Sequence, residues 1–176
     1  MWTTVVEELL DKMRDTIPAE GMMGEVHYWR DLSRILEGVS GEIKQPQVEV
    51  TVQLLLEKSL EGSLDYLAND VQSFTRLKSR VLKGSKEAKW NSKYMRAIEQ
   101  PVRQVEEATD LFDIQLVIAV LLRSLKKIFD SSNFYREARM VSFIDRLLKT
   151  IIKKVQRHLS LQIVVYDGVK NYQDFQ

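Results

Sequence analysis

The sequence predicts an all-α protein, an elongated antiparallel bundle of about six or seven helices. Apolar residues recur every three or four positions along most of the chain, which is the period of a helix with one buried face. Three prolines and seven glycines among 176 residues are too few for a turn-rich β fold. The connecting segments are short, which favours antiparallel neighbours. With 44% hydrophobic and 29% charged residues, the chain has the composition of a globular domain with a core.

Three helices are predicted in the first third of the chain. The first covers about residues 3–16, and the second about residues 23–44, where an apolar stripe ends before Pro46. Residues 47–57 begin with the alternating β-branched pattern of a strand. A single strand among helices has no pairing partner, so a helix is predicted there as well.

The middle of the chain is predicted to form two helices and a kinked turn. Residues 64–82 carry an apolar stripe, and Gly84 is of the residue type that commonly ends a helix. A second helix covers residues 85–100 and is interrupted by Pro101, which has no backbone N–H to donate. Residues 102–108 then form the kinked turn.

The last two predicted helices are the most apolar. One begins at Asp110 or Asp113, and its uninterrupted apolar run from Leu116 to Leu122 predicts a helix at the centre of the bundle. A short loop of turn-forming residues follows, and the final helix covers about residues 134–159. The predicted inward arc of that helix consists of Met140, Phe143, Ile144, Leu147, Leu148, Ile151, Ile152, Val155 and Leu159.

Several classes of chemistry have no support in the sequence. A net charge of +1 argues against a dedicated nucleic-acid binder, and the absence of cysteine excludes thiol catalysis and a Cys-ligated zinc site. His27 and His158 are too far apart for a metal-binding motif, and no phosphate-binding loop is present. The longest apolar run has seven residues, far short of the roughly 20 that span a bilayer. No catalytic, cofactor-binding or metal-binding residue is predicted.

Charge is unevenly distributed along the chain. Residues 123–157 contain ten Lys or Arg and three Asp or Glu, whereas residues 1–45 contain five basic and nine acidic residues. The basic segment is interpreted mainly as the solvated side of a buried helix. It could also guide docking with an acidic partner, or contact a membrane or an acidic microtubule surface.

Three stretches, in order, resemble one protein family. Residues 24–36, GEVHYWRDLSRIL, look like the Trp-bearing helix that opens the tail of dynein heavy chains. Residues 87–95, EAKWNSKYM, are similar to a Glu-Ala-x-x-Asn-x-x-Tyr/Phe-Leu signature of axonemal heavy chains, with Met95 in place of Leu. Residues 121–135, LLRSLKKIFDSSNFY, resemble a later helix and loop, with Phe129 where Trp is common.

The resemblance implies a non-catalytic segment of the heavy-chain stem, with the ATPase modules far downstream. Such a stem serves heavy-chain dimerisation, carries intermediate and light chains, and anchors the motor to its cargo. For an axonemal motor that cargo is the ciliary doublet with its docking proteins, so the axoneme of a cilium or flagellum is the expected location, with the cytoplasm as the alternative. Neither nucleic acid nor membrane insertion is expected.

The resemblance also implies a division of the chain. Residues 1–176 form one segment of the tail, with an N-terminal helix and linker over 1–21, a bundle over 22–160 and the start of the next tail segment over 161–176. The apolar and aromatic C-terminal residues are interpreted as those of a chain cut from a longer one. Tyr28, Trp29, Trp90 and Tyr94 are the predicted partner-binding residues, because aromatic side chains dominate interface energetics. Burial inside the domain is the alternative for each of them.

Two other functions remain open at this stage. One is a free-standing helical adaptor or scaffold for protein–protein interaction. The other is an enzyme that binds an anionic ligand through the basic residues of 123–157, although no nucleophile or base is placed to act on it.

Overall fold

The computed structural model describes the backbone of residues 2–12, 20–62 and 64–173, with side chains over 4–11, 20–62 and 64–161. In this part of the chain every regular element is helical, so the all-α prediction is confirmed. The elements, in order, are α1 (Trp2–Lys12), α2 (Gly21–Ile43), α3 (Pro46–Glu61), α4 (Asp65–Glu107), α5 (Leu111–Ser131), a 3-10 turn (Phe134–Arg136) and α6 (Ala138–Gln173).

The chain forms two compact units that are interleaved in sequence. The first unit comprises Met1–Thr16 and His27–Lys93, and the second comprises Ile17–Val26 and Tyr94–Gln176. Two helices, α2 and α4, each contribute one part to the first unit and another part to the second. The predicted division at residues 21 and 160 stays a prediction.

The first unit has a core built from α1, α2 and α4. Its buried apolar side chains include Val6, Leu10, Trp29, Leu32, Leu36, Ile43, Val71, Leu77, Val81 and Ala88. Arg80 of α4 forms ion pairs with Glu7 and Asp11 of α1, at 3.8 and 3.4 Å, across the edge of this core. These pairs are exposed, so the apolar contacts carry most of the stability.

The second unit packs the start of α2, the end of α4, the 3-10 turn, α5 and α6. Its buried apolar side chains include Val26, Met95, Ile98, Val102, Val105, Ile114, Val117, Leu121, Leu125, Ile128, Phe134, Met140, Phe143 and Leu147. Of the two predicted starts for α5, the structure has the first: Asp110 caps the helix, and its side chain accepts a 2.8 Å hydrogen bond from the Asp113 N–H. Such a cap satisfies an amide that the helix itself leaves without a partner.

A single helix replaces the two helices and the turn that were predicted between residues 64 and 108. Helix α4 runs through both Gly84 and Pro101 without ending. A proline inside a helix costs about 3 kcal/mol and a glycine about 1 kcal/mol relative to alanine. Apolar side chains on either side of Pro101, Ile98 and Val102 among them, are completely buried. Their burial offsets the local penalties and keeps the helix continuous.

The interpretation of α5 as a helix covered on all sides is wrong. One face is buried and consists of Ile114, Val117, Leu121, Leu125 and Ile128. Leu111 and Ile118 are half-buried, and five large apolar side chains are exposed, namely Phe112, Leu116, Val120, Leu122 and Phe129. Contacts with α6 and the 3-10 turn involve only part of the helix surface, and the rest faces outward.

The predicted inward arc of the last helix is also too wide. Met140, Phe143 and Leu147 are buried, but Leu148, Ile152 and Leu159 are exposed. The helix begins at Ala138 because a 3-10 turn over Phe134–Arg136 comes first, and its backbone continues to Gln173. The end of the first predicted helix, beyond Lys12, lies outside the described residues.

Candidate interaction surfaces

Two of the four predicted partner-binding aromatic residues are neighbours on α2. The rings of Tyr28 and Trp29 meet edge to face, with centroids 5.4 Å apart and planes at 86°. Trp29 is only 2% exposed, so its ring packs inside the first unit. This is the burial alternative that the sequence left open. Tyr28 is half-buried and keeps part of its ring at the surface.

The other two aromatic residues lie on α4, one in each unit. Trp90 of the first unit is 47% exposed, and the Lys93 ammonium lies 4.9 Å from its ring centroid. Tyr94 of the second unit is half-buried and stacks on Phe134 with ring centroids 6.1 Å apart. Trp90 therefore offers more surface to a partner than either Trp29 or Tyr94.

An apolar surface that sequence reasoning did not single out lies on α3. The helix has seven Val or Leu residues among its 16, yet its only buried residue is Ser59. It runs antiparallel beside α4, as shown by the 3.6 Å ion pair between Glu49 and Lys78 and the hydrogen bond from the Leu64 N–H to the Ser59 carbonyl. The outward-facing apolar residues of α3 are Val50, Leu54, Leu55, Leu56 and Leu60.

Between α3 and α4 lies an apolar groove of about 410 Å³. It is lined by Gln47, Val48, Thr51, Val52 and Leu55 of α3 and by Asp70, Val71 and Phe74 of α4. The mostly apolar lining is suited to contact with apolar side chains. Asp70 contributes a carboxylate to it. Because the groove on one side of α3 and its outer face are both open to solvent, most of the surface of this helix is uncovered.

A buried charge cluster joins α6 to the first turns of α2 inside the second unit. The Glu25 carboxylate is 1% exposed and accepts hydrogen bonds from the Arg139 guanidinium, Nη2 to Oε1 at 2.9 Å and Nε to Oε2 at 3.3 Å. Arg146 donates to the same carboxylate at 3.3 Å and to the Gly21 carbonyl at 3.3 Å. Because the guanidinium groups of Arg139 and Arg146 must both reach the Glu25 carboxylate, the cluster fixes the rotation of α6 about its axis.

Another basic residue of α6 closes the end of α4. The Lys154 ammonium donates to the carbonyls of Glu106 and Ala108, at 2.7 and 2.8 Å. Carbonyls at the end of a helix have no partners within the helix and carry partial negative charge, so a cation there is stabilising. Arg139, Arg146 and Lys154 thus serve the fold, and only the remaining basic residues of 123–157 are available for an acidic partner.

The described residues contain none of the clustered ligands that a metal site needs. Over those residues no group of three or more His, Cys, Asp or Glu side chains is close enough to hold an ion. The helices described also include none that is long and apolar enough to cross a membrane. What the molecule does display is apolar surface on α3, and on α5 and α6, whose other faces are packed.

Uncovered apolar faces on helices that also have a covered core are of the kind that marks protein–protein contact sites. Comparison with known sequences then gives the family. Residues 1–175 match the dynein heavy chain N-terminal region 1, and the chain belongs to this family. It is therefore a segment of a dynein tail, the part of the heavy chain that precedes the motor.

One curated relative is a flagellar protein. The chain is 27% identical over 175 residues to the dynein-1-beta heavy chain of the flagellar inner arm I1 complex from Chlamydomonas reinhardtii. The alignment covers 97% of this chain but only 4% of that relative, so the chain spans a small part of the length of the protein it matches. No solved structure matches the chain.

Proposed function

We propose that this chain is a non-catalytic stem segment that attaches a dynein heavy chain to other polypeptides. Its partners are a second heavy chain, the intermediate and light chains, and the docking proteins through which a motor is anchored to its cargo. The observation that carries the proposal is the exposed apolar surface of α3, α5 and α6, which remains although each unit has its own core. Contiguous apolar surface of this kind marks protein–protein contact sites.

The proposed location is the axoneme of a cilium or flagellum, where the cargo is the doublet microtubule. Support comes from the relative, whose name places it in a flagellar inner arm, and from the Glu-Ala-x-x-Asn stretch beginning at Glu87. In the structure Ala88 and Asn91 of this stretch are buried in the first unit, whereas Trp90 points outward. Packing residues therefore account for part of the signature, and Trp90, at one of its unspecified positions, is the residue proposed to contact a partner.

The experiment is cross-linking of the assembled motor that contains this chain, followed by mass spectrometry of the linked peptides. Lys58 on α3, Lys93 beside Trp90 and Lys153 on α6 are exposed and can react. We expect at least one of these lysines to link to a different polypeptide of the complex. If all of them link only to other residues of the same heavy chain, while other parts of the tail link to partner chains, the proposal is wrong.

A matched pair of variants tests the contact at Trp90. Replacing the exposed Trp90 with alanine is expected to weaken retention of associated chains, because aromatic anchors contribute a large share of interface energy. Tyr66→Ala on α4 is the control, since it removes an aromatic side chain that is also exposed but lies outside the apolar surfaces of α3, α5 and α6. Equal retention in wild type and W90A would exclude Trp90 as an anchor.

A further inference from the structure

Helix α6 carries a second apolar stripe besides the face buried in the second unit. Its members are Val141, Leu148, Ile152, Val155 and Leu159, separated by seven, four, three and four residues. Four of them are between 44% and 53% exposed, and Val155 is half-buried. Asp145 occupies the position that the seven-residue step leaves out, and it is paired with Lys149 at 2.7 Å. Alternating steps of three and four are the spacing of a coiled-coil seam.

The stripe is turned away from the buried face, with the half-buried Ile144 and Ile151 between the two. At 100° per residue, the stripe is centred roughly 120° from the side that carries Met140, Phe143 and Leu147. The buried charge cluster holds α6 in this rotation, since Arg139 and Arg146 both reach Glu25. The helix therefore cannot turn to cover the stripe without breaking that cluster.

A row of basic side chains begins beside the stripe at Lys149 and winds away from it toward the C-terminus, because residues four apart advance about 40° around a helix. Lys149, Lys153 and Arg157 are spaced four residues apart, and no Asp or Glu occurs between residues 146 and 161. Lys153 and Arg157 are exposed and form no ion pair with any described residue. The stripe lies within about a Debye length of this row, so an acidic partner seated on the stripe would be attracted to it.

We propose that this stripe binds an amphipathic helix of another polypeptide, one with Leu or Ile at coiled-coil spacing and a row of Glu or Asp along one edge. The proposal rests on the proposed stem function and names the chemistry of one of its partners. The steps of three and four fit a single partner helix packed knobs-into-holes. A helix that lies on a membrane instead shows a wide apolar face with Trp or Phe, whereas this stripe is narrow and contains no aromatic residue.

The test uses the purified 176-residue chain and two designed peptides of four heptads each. Both peptides have Leu at the seam, and one has Glu and the other Lys at the flanking positions, so that like-charge repulsion keeps each from pairing with itself. Binding is measured by fluorescence anisotropy of the labelled peptide, at low and high salt. We expect the Glu peptide to bind at least tenfold more tightly than the Lys peptide, and the difference to shrink as salt rises.

Variants locate the site. I152S is expected to weaken binding of the Glu peptide at least tenfold, whereas L116S, at an exposed apolar residue of α5, leaves it unchanged. K149E is expected to reduce the preference for the Glu peptide, because Lys149 is the basic residue that flanks the stripe, and K127E on α5 is its matched control. Circular dichroism checks that each variant keeps the wild-type helix content.

Three results would overturn the inference: equal binding of both peptides, binding that I152S does not change, or binding to anionic phosphatidylserine vesicles with none to either peptide. The last result would assign the stripe to a membrane surface. If this test fails but Lys58 or Lys93 of the assembled motor still cross-links to a different polypeptide, the proposed stem function is not refuted. Loss of those cross-links with intact peptide binding would refute the stem function alone.

Discussion

Removing the charge of Glu25 is expected to destabilise the second unit more than any change to an exposed ion pair. Glu25→Gln keeps the shape of the side chain but leaves the Arg139 guanidinium, whose side chain is 6% exposed, without its carboxylate. Breaking a buried pair by removing one partner typically costs about 3–5 kcal/mol, because the remaining charge cannot regain water. Arg146 is 28% exposed and can be rehydrated, so the expected loss lies near the lower end, about 3 kcal/mol.

The companion variant is Arg139→Met, which removes the guanidinium and keeps a flexible chain of similar length. If the two groups stabilise each other, Glu25→Gln and Arg139→Met together should cost less than the sum of the single changes. The expected coupling is about 2 kcal/mol, within the range for residues of one ion-pair network. The control pair is Asp130 and Lys126, an exposed pair at 3.1 Å on α5 in the same unit, for which about 0.5 kcal/mol or less is expected.

The assay is urea denaturation of the whole chain followed by far-ultraviolet circular dichroism, with free energies of unfolding obtained by linear extrapolation. The reasoning would be refuted if Glu25→Gln cost less than about 1 kcal/mol, or if its effect and that of Arg139→Met were additive. A loss as large for Asp130→Asn would also contradict it, because an exposed carboxylate can exchange its partner for water.

Four further outcomes are expected. Trp29→Ala should lower the free energy of unfolding by about 3–5 kcal/mol in urea denaturation, whereas the same change at the exposed Trp90 should cost less than about 1 kcal/mol. Asp110→Ala should cost about 1 kcal/mol in the same assay, since it removes the cap of α5. Pro101→Ala should raise the thermal midpoint, because the roughly 3 kcal/mol penalty of proline exceeds the about 1.6 kcal/mol carried by its two buried methylenes. Incubated with ATP, the chain should release no phosphate above the buffer background, and steady turnover would contradict the non-catalytic stem.

Local signals in the sequence were sufficient for most of the helices. The predicted second helix, residues 23–44, corresponds to α2 at Gly21–Ile43, and the segment with a strand-like start is the helix α3. The prediction failed where residues that disfavour a helix locally are kept in one by tertiary packing. Gly84 and Pro101 each disfavour a helix by a few kcal/mol at most, and packing of the neighbouring apolar side chains offsets this. Sequence periodicity contains no measure of that packing.

The buried charge cluster could not be predicted from local spacing. Glu25 and Arg139 are 114 residues apart, so no spacing of three or four residues along one helix connects them. The burial of aromatic residues was similarly difficult to predict. Trp29 and Trp90 both lie in predicted helices, but Trp29 is 2% exposed and Trp90 is 47% exposed. Burial depends on which helix lies opposite, and that is set by the tertiary fold.

The width of the apolar arc on α6 led to the interpretation of α6 as a core helix. The basic side chains of the helix indicate instead that part of this arc is available to a partner. The hydrophobic effect depends on the apolar area removed from water and not on which chain removes it. A wide arc alone therefore does not separate a helix inside one domain from a helix shared between two polypeptides. A helix covered all round leaves no place for Lys149, Lys153 and Arg157, whereas a helix packed on one face and docked on another keeps a solvated strip for them. An apolar arc with an uninterrupted basic row beside it is thus expected of a helix that packs in its own unit and also receives an acidic partner.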